Sequence, residues 1–205
     1  MIENNYIGKF IVFEGLDGSG QSTQAGLLKD FLIGKGFDVI LTKEPTRDSE
    51  AGKKIKEILE EKIKKDPAKL QELFTRDREE HLDKLIIPAL KERKFIVCDR
   101  YFFSTFAYGV SDGLDLDWLI KINENFLLPD LTFLLKVKPE VCIKRIEKRG
   151  TPKALFEKTE KLAKVWQIYE KLPEKFKDIF VIDGEKTIEE VFSQVKEILL
   201  DKFKL

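Results

Sequence analysis

Apolar and polar positions divide this chain into short strand-like runs and longer helical segments. Five runs rich in β-branched and aromatic residues predict buried strands at 9–14, 39–42, 95–98, 131–137 and 179–182. After the first run, Ala25, Leu28 and Leu32 recur at helical spacing until glycines end the pattern. Further helical patterns cover residues 49–61, 68–91, 103–108, 117–126, 140–148, 156–172 and 188–203. Strands that alternate with helices predict a three-layer α/β fold with a parallel sheet in the middle.

The length and a few local signals refine this outline. A chain of 205 residues suits one domain, or one domain with a small mobile insert. Pro88 lies late in the pattern over 68–91 and predicts a kink there, because proline has no N–H to donate. Thr187 and Glu190 have the spacing of a capping box and predict the start of the last helix.

The composition bounds the possible partners and the compartment. The chain has 37 basic and 37 acidic residues, a balance that argues against a general nucleic-acid binder. Its two cysteines, Cys98 and Cys142, suit a reducing cytosol better than a disulfide framework. No apolar stretch approaches the roughly 20 residues that span a membrane, and the first strand leaves no room for a signal peptide. We therefore expect a cytoplasmic protein without a membrane or nucleic-acid partner.

A glycine-rich loop follows the first predicted strand. Its pattern is close to G-x-x-x-x-G-K-[ST], in which backbone N–H groups surround phosphate oxygens, the lysine reaches the β/γ-phosphates and the hydroxyl ligates Mg²⁺. The predicted ATP-binding residues are Gly15, Leu16, Asp17, Gly18, Ser19, Gly20, Gln21, Ser22 and Thr23. Gln21 is neutral where the pattern has lysine, so the loop predicts nucleotide binding more firmly than phosphate transfer. The simpler alternative, a βα turn without a ligand, needs less glycine than this loop contains.

A second polar group closes the third predicted strand. Asp99 and Arg100 should lie beside the glycine loop, because ligands bind at the carboxyl ends of strands in open α/β sheets. A carboxylate there can hold Mg²⁺ together with Ser22, and an arginine can clamp a phosphate with two hydrogen bonds. The alternative is a surface ion pair that merely ends the strand.

Together with these two motifs, three more segments make the chain resemble the thymidylate kinases. They are Lys-Glu-Pro-Thr-Arg at 43–47, Leu-Phe-Thr-Arg-Asp-Arg-Glu-Glu-His at 73–81 and Pro-Asp-Leu-Thr-Phe-Leu-Leu at 129–135. The segments occur in the family's order over essentially the whole chain. The resemblance implies a P-loop fold with a five-stranded parallel sheet, and transfer of phosphate from ATP to dTMP with Mg²⁺. It also implies a homodimer.

The resemblance further implies roles for residues of the acceptor site. Phe74 resembles the ring that stacks on thymine, and Arg78 resembles the arginine that bonds the carbonyl edge of the base. Since they are four residues apart, both should lie on one helical face. Thr105 would lie near the thymine edge, and Tyr108 resembles the ring that crowds the 2′ position.

Two further residues would contact the rest of the acceptor nucleotide. Asp17 resembles the carboxylate that contacts the sugar, and Arg47 resembles an arginine that reaches the acceptor phosphate. Arg100 would bind the acceptor as well as take part in catalysis with Asp99.

The chain departs from the family at Gln21 and in the lid-like segment at about 148–158. Bacterial-type members carry Asp-Arg-Phe-Glu in the lid, whereas this chain has Ala-Leu-Phe-Glu at 154–157. Arg145, Lys148, Arg149 and Lys153 are the candidate replacement cations, of which Arg149 and Lys153 are the predicted catalytic ones. Gln21 can still donate hydrogen bonds. Two alternatives stay open: a nucleotide-binding protein with impaired catalysis, and a kinase of a different nucleotide or deoxynucleoside acceptor.

Overall fold

A parallel sheet forms the centre of the protein. The computed structural model describes residues 1–60, 62–63, 66–148 and 155–205, which form five parallel strands in the order β2-β3-β1-β4-β5. Their bounds are β1 (Lys9–Gly15), β2 (Val39–Lys43), β3 (Phe95–Asp99), β4 (Leu131–Lys136) and β5 (Ile179–Asp183). Each predicted strand is present, with its limits moved by one residue at most. The predicted fold class is confirmed.

Helices cover both faces of this sheet. They are α1 (Gln21–Gly34), α2 (Glu50–Leu59), α3 (Pro67–His81), α4 (Ile87–Lys91), α5 (Phe102–Ser111), α6 (Leu116–Ile122), α7 (Pro139–Glu147), α8 (Leu155–Tyr169), α9 (Leu172–Lys175) and α10 (Ile188–Phe203). The capping box is present: the Thr187 side chain accepts from the N–H of Glu190, whose carboxylate accepts from the N–H of Thr187.

The central strand β1 divides the core into two layers. Successive strand side chains point to opposite faces, so Phe10 and Val12 pack into one cluster while Ile11 and Phe13 pack into the other. The cluster containing Phe13 is completed by α1 and α10, and the other cluster by helices that include α4 to α9. All four side chains are fully buried, which explains the continuous apolar run of this strand.

The strand order brings the two polar motifs together. β1 pairs with β3 on one side and with β4 on the other, and Phe13 aligns with Asp99. The glycine loop after β1 and the Asp99-Arg100 pair at the end of β3 therefore emerge side by side. This is the point in an open α/β sheet where ligands bind.

The long predicted helix over 68–91 is interrupted. A π-helical segment, Leu82–Ile86, separates α3 from α4, and the N–H of Ile87 donates five residues back to the carbonyl of Leu82. Proline cannot donate to the carbonyl four residues earlier and its ring crowds that carbonyl, so the wider π turn accommodates Pro88. The predicted kink is thus a change of helix type just before the proline.

Two other segments of the sequence prediction need comment. The helix predicted at 156–172 is two helices, α8 and the short α9. Residues 149–154 of the lid-like segment, with Arg149 and Lys153, lie outside the described residues. Among the helices that are described, none has the length and apolar character needed to cross a bilayer.

Candidate functional site

The glycine loop is shaped by positive backbone angles. Gly15, Gly18 and Gly20 have φ values of 151°, 88° and 106°, which residues other than glycine rarely adopt. A Cβ on Gly18 would lie 2.7 Å from the carbonyl oxygen of Cys142 in α7, so the loop also packs closely against that helix. Since Gly20 is the N-cap of α1 and has no side chain for capping, the first turn presents its N–H groups to an anion.

Gln21 is turned back into this loop. Its Nε2 donates to the carbonyl oxygen of Gly15 at 2.9 Å, and its Oε1 accepts from the hydroxyl of Ser19 at 3.0 Å. Only 4% of the residue is exposed. The glutamine stabilises the loop conformation, but it brings no charge to a bound phosphate.

Ser22 and Asp99 form an oxygen-rich pair beside the loop. The Ser22 hydroxyl donates to Oδ2 of Asp99, and Nζ of Lys43 lies 3.3 Å from the same oxygen. Lys43 and Asp99 are aligned at the ends of β2 and β3. A hydroxyl and a carboxylate are ligands that Mg²⁺ accepts when substrate phosphates and water complete its shell.

Arg100 is fixed in an unusual backbone conformation. Its φ is 75°, and its N–H donates to the carbonyl oxygen of Phe13. The guanidinium donates to the carbonyl of Gly15 at 3.0 Å, to Ser104 Oγ at 2.9 Å and to Asp17 Oδ1 at 2.8 Å. Asp17 also accepts from the hydroxyl of Tyr108 at 3.1 Å. Arg100 is therefore oriented before any substrate binds.

A buried carboxylate, that of Glu14, is linked to Arg100 through the hydroxyl of Ser104. Glu14 is fully buried at the end of β1 and accepts from the N–H groups of Tyr101 and Ser104, from the Ser104 hydroxyl and from the Tyr169 hydroxyl. Burial raises the pKa of Glu14, while Arg100 and these hydrogen bonds lower it by less. The carboxylate ties β1, the start of α5 and the end of α8 into one network.

A cavity of about 540 Å³ opens next to this network. Its lining includes Asp17, Lys43 and Arg100 near the loop, and Phe74 and Arg78 from α3. Apolar side chains that line the cavity come from several elements and include Pro45, Leu59, Leu70, Ile143, Ile146 and Leu162. A polar end and a largely apolar remainder suit a ligand that carries a charged group and a planar ring.

Arg78 is buried at the wall of the cavity and held on three sides. Its Nε donates to Glu44 Oε2 at 2.8 Å, Nη1 to Asn123 Oδ1 at 2.5 Å and Nη2 to Thr105 Oγ1 at 3.2 Å. The side chain is 1% exposed, and its guanidinium carbon lies 5.0 Å from the centre of the Tyr101 ring. The buried charge is thus paired and stacked, as its desolvation requires.

Most of the predicted acceptor residues meet in this cavity, and one does not. Those that line it are Asp17, Phe74, Arg78, Arg100, Thr105 and Tyr108. Arg47 is exposed and is not among the lining residues. Within the loop, Leu16 is fully buried in the core, so only its backbone can face a nucleotide. Thr23 is exposed in the first turn of α1.

Several residues of the site escaped the sequence prediction. Glu14 carried one signal, a charged residue inside an otherwise apolar strand. Lys43 and Glu44 belong to the segment 43–47 on which the family resemblance rests, but neither had an assigned role. Nothing in the local pattern distinguished Asn123 or Tyr169. Their importance depends on contacts between residues that are far apart in the chain.

Comparison with known proteins places this arrangement among nucleotide kinases. The family model described as "Thymidylate kinase" matches residues 13–195. A "Probable thymidylate kinase" of Pyrococcus horikoshii is 44% identical over 193 residues, which cover 92% of this chain and 94% of the relative. A "Thymidylate kinase" of Leptospira interrogans is 38% identical over 198 residues, or 95% of each chain. One of Desulfotalea psychrophila is 39% identical over 201 residues, or 96% of this chain and 98% of the relative.

Proposed function

The chain belongs to the thymidylate kinase family, and from this premise we propose that its cavity binds the phosphate acceptor and its glycine loop binds ATP. It is a phosphotransferase that phosphorylates dTMP to dTDP with ATP. The observation that supports this assignment is that Phe74 and Arg78, neighbours on one face of α3, line the same cavity as Asp17 and Arg100. A base reader at one end and a phosphate clamp at the other match a nucleoside monophosphate.

In this proposal the thymine ring stacks on Phe74 and its 4-carbonyl accepts from Arg78. A guanidinium has five N–H groups, and three of those of Arg78 are used by Glu44, Asn123 and Thr105 within the described residues. The remaining donors are held in a fixed orientation at the cavity wall. Asp17 and Tyr108, which are hydrogen-bonded to each other, would contact the sugar, and Tyr108 would disfavour a 2′-hydroxyl.

The donor would bind at the glycine loop with its phosphates on the N–H groups at the start of α1. The Ser22 and Asp99 oxygens fit Mg²⁺, which when bound would neutralise charge on the ATP phosphates. Arg100 would orient the acceptor phosphate. Arg149 and Lys153 stay proposed as lid cations, and Arg47 as a second contact with the acceptor phosphate.

The assembly and the compartment belong to the same proposal. We infer a homodimer from the family resemblance alone. We infer a reducing compartment, the cytoplasm, from Cys98 and Cys142, which are both free and buried.

An acceptor panel tests this function. ADP release with ATP and Mg²⁺ should be compared for dTMP, dUMP, dCMP, dGMP and thymidine. A 4-amino group cannot accept from Arg78, and an unmatched hydrogen bond to a charged group costs about 1–3 kcal/mol. We therefore expect kcat/KM for dTMP to exceed that for dCMP by about 5- to 150-fold. Equal rates for dTMP and dCMP would contradict the assigned base contact.

Gln21 is the observation behind the alternative of nucleotide binding without turnover, which the family matches do not favour. Phosphoryl transfer relies on charge neutralisation, and Gln21 supplies none. In that case the protein would release no ADP with any acceptor of the panel, while calorimetry would still detect ATP binding. Faster turnover of another acceptor than of dTMP would indicate the remaining alternative, a kinase with changed specificity.

A further inference from the structure

The loop lacks a cation of its own, and within the described residues the two arginines that contact it, Arg100 and Arg145, also bind other groups. Gln21 is neutral, buried and hydrogen-bonded to Gly15 and Ser19. The Arg100 guanidinium holds Gly15, Ser104 and Asp17. Arg145 of α7 approaches the loop, but it donates to the backbone carbonyl oxygens of Ser19, at 3.4 Å, and Gly184, at 3.0 Å.

Lys43 is placed where the missing charge is needed. It ends β2, its side chain is 53% exposed, and it lines the cavity. Its Nζ lies 3.3 Å from Oδ2 of Asp99, the oxygen to which the loop residue Ser22 also donates. The ammonium therefore stands between the loop and the acceptor cavity. Lysine is a compact charge on a flexible stem, so it can turn from Asp99 to a phosphate without any backbone movement.

We propose that Lys43 supplies, from the end of β2, the positive charge that a lysine at position 21 would bring to the transferred phosphate. This inference rests on the proposed function. In the reaction, the bond from the γ-phosphorus to the β,γ-bridging oxygen of ATP breaks, and a bond from that phosphorus to a phosphate oxygen of dTMP forms. ADP keeps the bridging oxygen and its electron pair. The ammonium of Lys43 offsets negative charge on the moving group.

Three variants test the role of Lys43 in turnover: Lys43→Gln, Gln21→Lys and the double variant. Removing one preorganised stabilising group costs about 10²–10³ in kcat, so we expect Lys43→Gln to lower kcat by that factor with little change in KM for dTMP. Adding Gln21→Lys to Lys43→Gln should restore kcat at least tenfold. If Lys43 only positioned Asp99, a charge placed in the loop would not restore the kcat of Lys43→Gln.

Binding supplies a readout that does not depend on turnover. If the ammonium faces the third phosphate, Lys43→Gln should weaken ATP binding more than ADP binding in calorimetry without dTMP. A matched control is Lys136→Gln. Lys136 ends β4, is 57% exposed and lies 3.1 Å from the carboxylate of Glu170, and we expect it to change neither quantity.

The outcomes separate this inference from the function on which it rests. If the wild-type protein phosphorylates dTMP and Lys43→Gln behaves like Lys136→Gln in kcat and in ATP affinity, the role of Lys43 is refuted. If the wild-type protein turns over no acceptor, the proposed function fails, and the difference between ATP and ADP binding still decides whether Lys43 contacts the third phosphate.

Discussion

Arg78 combines a structural role with the base contact that we propose for it. It neutralises the buried carboxylate of Glu44 and bonds Asn123, while its remaining edge faces the cavity. Removing one partner of a buried ion pair costs about 3–5 kcal/mol, because the other charge stays buried without compensation. A variant at this position therefore reports on folding and on binding together, whereas the half-buried Phe74 reports mainly on binding.

We expect Phe74→Ala to weaken dTMP binding by about 1–3 kcal/mol, the usual value of a base–aromatic stack. Its loss of thermal stability should be smaller than that of Arg78→Ala, which leaves Glu44 buried. Calorimetric titration with dTMP and thermal denaturation of both variants measure the two effects. Unchanged dTMP affinity in Phe74→Ala would refute the stacking assignment.

The sequence located these side chains but could not orient them. The spacing of Phe74 and Arg78 places both on one helical face, and that prediction is confirmed. The fold-back of Gln21 depends on a side-chain rotamer, and the Glu14 network joins residues up to 155 positions apart. Neither is encoded in a local pattern. The resemblance implies that Arg47 reaches the acceptor phosphate, and in the structure Arg47 is not among the residues that line the cavity.

At the level of elements, the glycine loop is held between β1 and α7. Strand limits were accurate because buried parallel strands have strong apolar runs that end at polar residues. Helix limits were less accurate where several helices follow one another, as at 68–91 and 156–172, because their periodic patterns continue across the breaks. The contact between Gly18 and α7 was invisible in the sequence, since a phosphate-binding motif already accounts for that glycine.

Two alanine substitutions separate loop strain from this contact. Gly18→Ala would place a Cβ 2.7 Å from the Cys142 carbonyl oxygen and 3.1 Å from Ile146, whereas Gly20→Ala meets nothing within 4 Å. Both pay for a positive φ, so the difference between them isolates the overpacking, which costs about 1–3 kcal/mol. In the absence of nucleotide, we expect the melting temperature of Gly18→Ala to lie about 2–12 °C below that of Gly20→Ala. Equal melting temperatures would mean that α7 yields freely.

At the scale of the whole molecule, the strand order makes one end of the sheet the meeting point of distant segments. The loop after β1, Lys43 at the end of β2 and Arg100 after β3 converge there, and α3 closes the other side of the cavity. The alternation of strands and helices was enough to predict this architecture. The shape of the cavity was not predictable, because it depends on how α3 and α8 pack against α5.

Ligand binding to this end should stabilise the entire fold. A ligand at 100 times its Kd adds about 2.7 kcal/mol to the free energy of unfolding, which corresponds to roughly 5–10 °C in Tm for a chain of this size. We expect dTMP alone to produce such a shift, because the cavity residues are already in place. The same concentration of dCMP should shift Tm less. No shift with dTMP would contradict a preformed acceptor site.

The π segment before Pro88 holds one residue more than an α-helical turn does, because its hydrogen bond closes over five residues instead of four. Removal of one residue from Leu82–Ile86 would turn this wide turn into an ordinary α turn, so α3 and α4 would keep nearly the same faces toward their neighbours. Leu90 of α4 is fully buried in the core, and Phe74 and Arg78 of α3 line the cavity. The wide turn therefore absorbs the proline locally, and the helix that lines the cavity keeps its direction relative to the helix that is packed into the core.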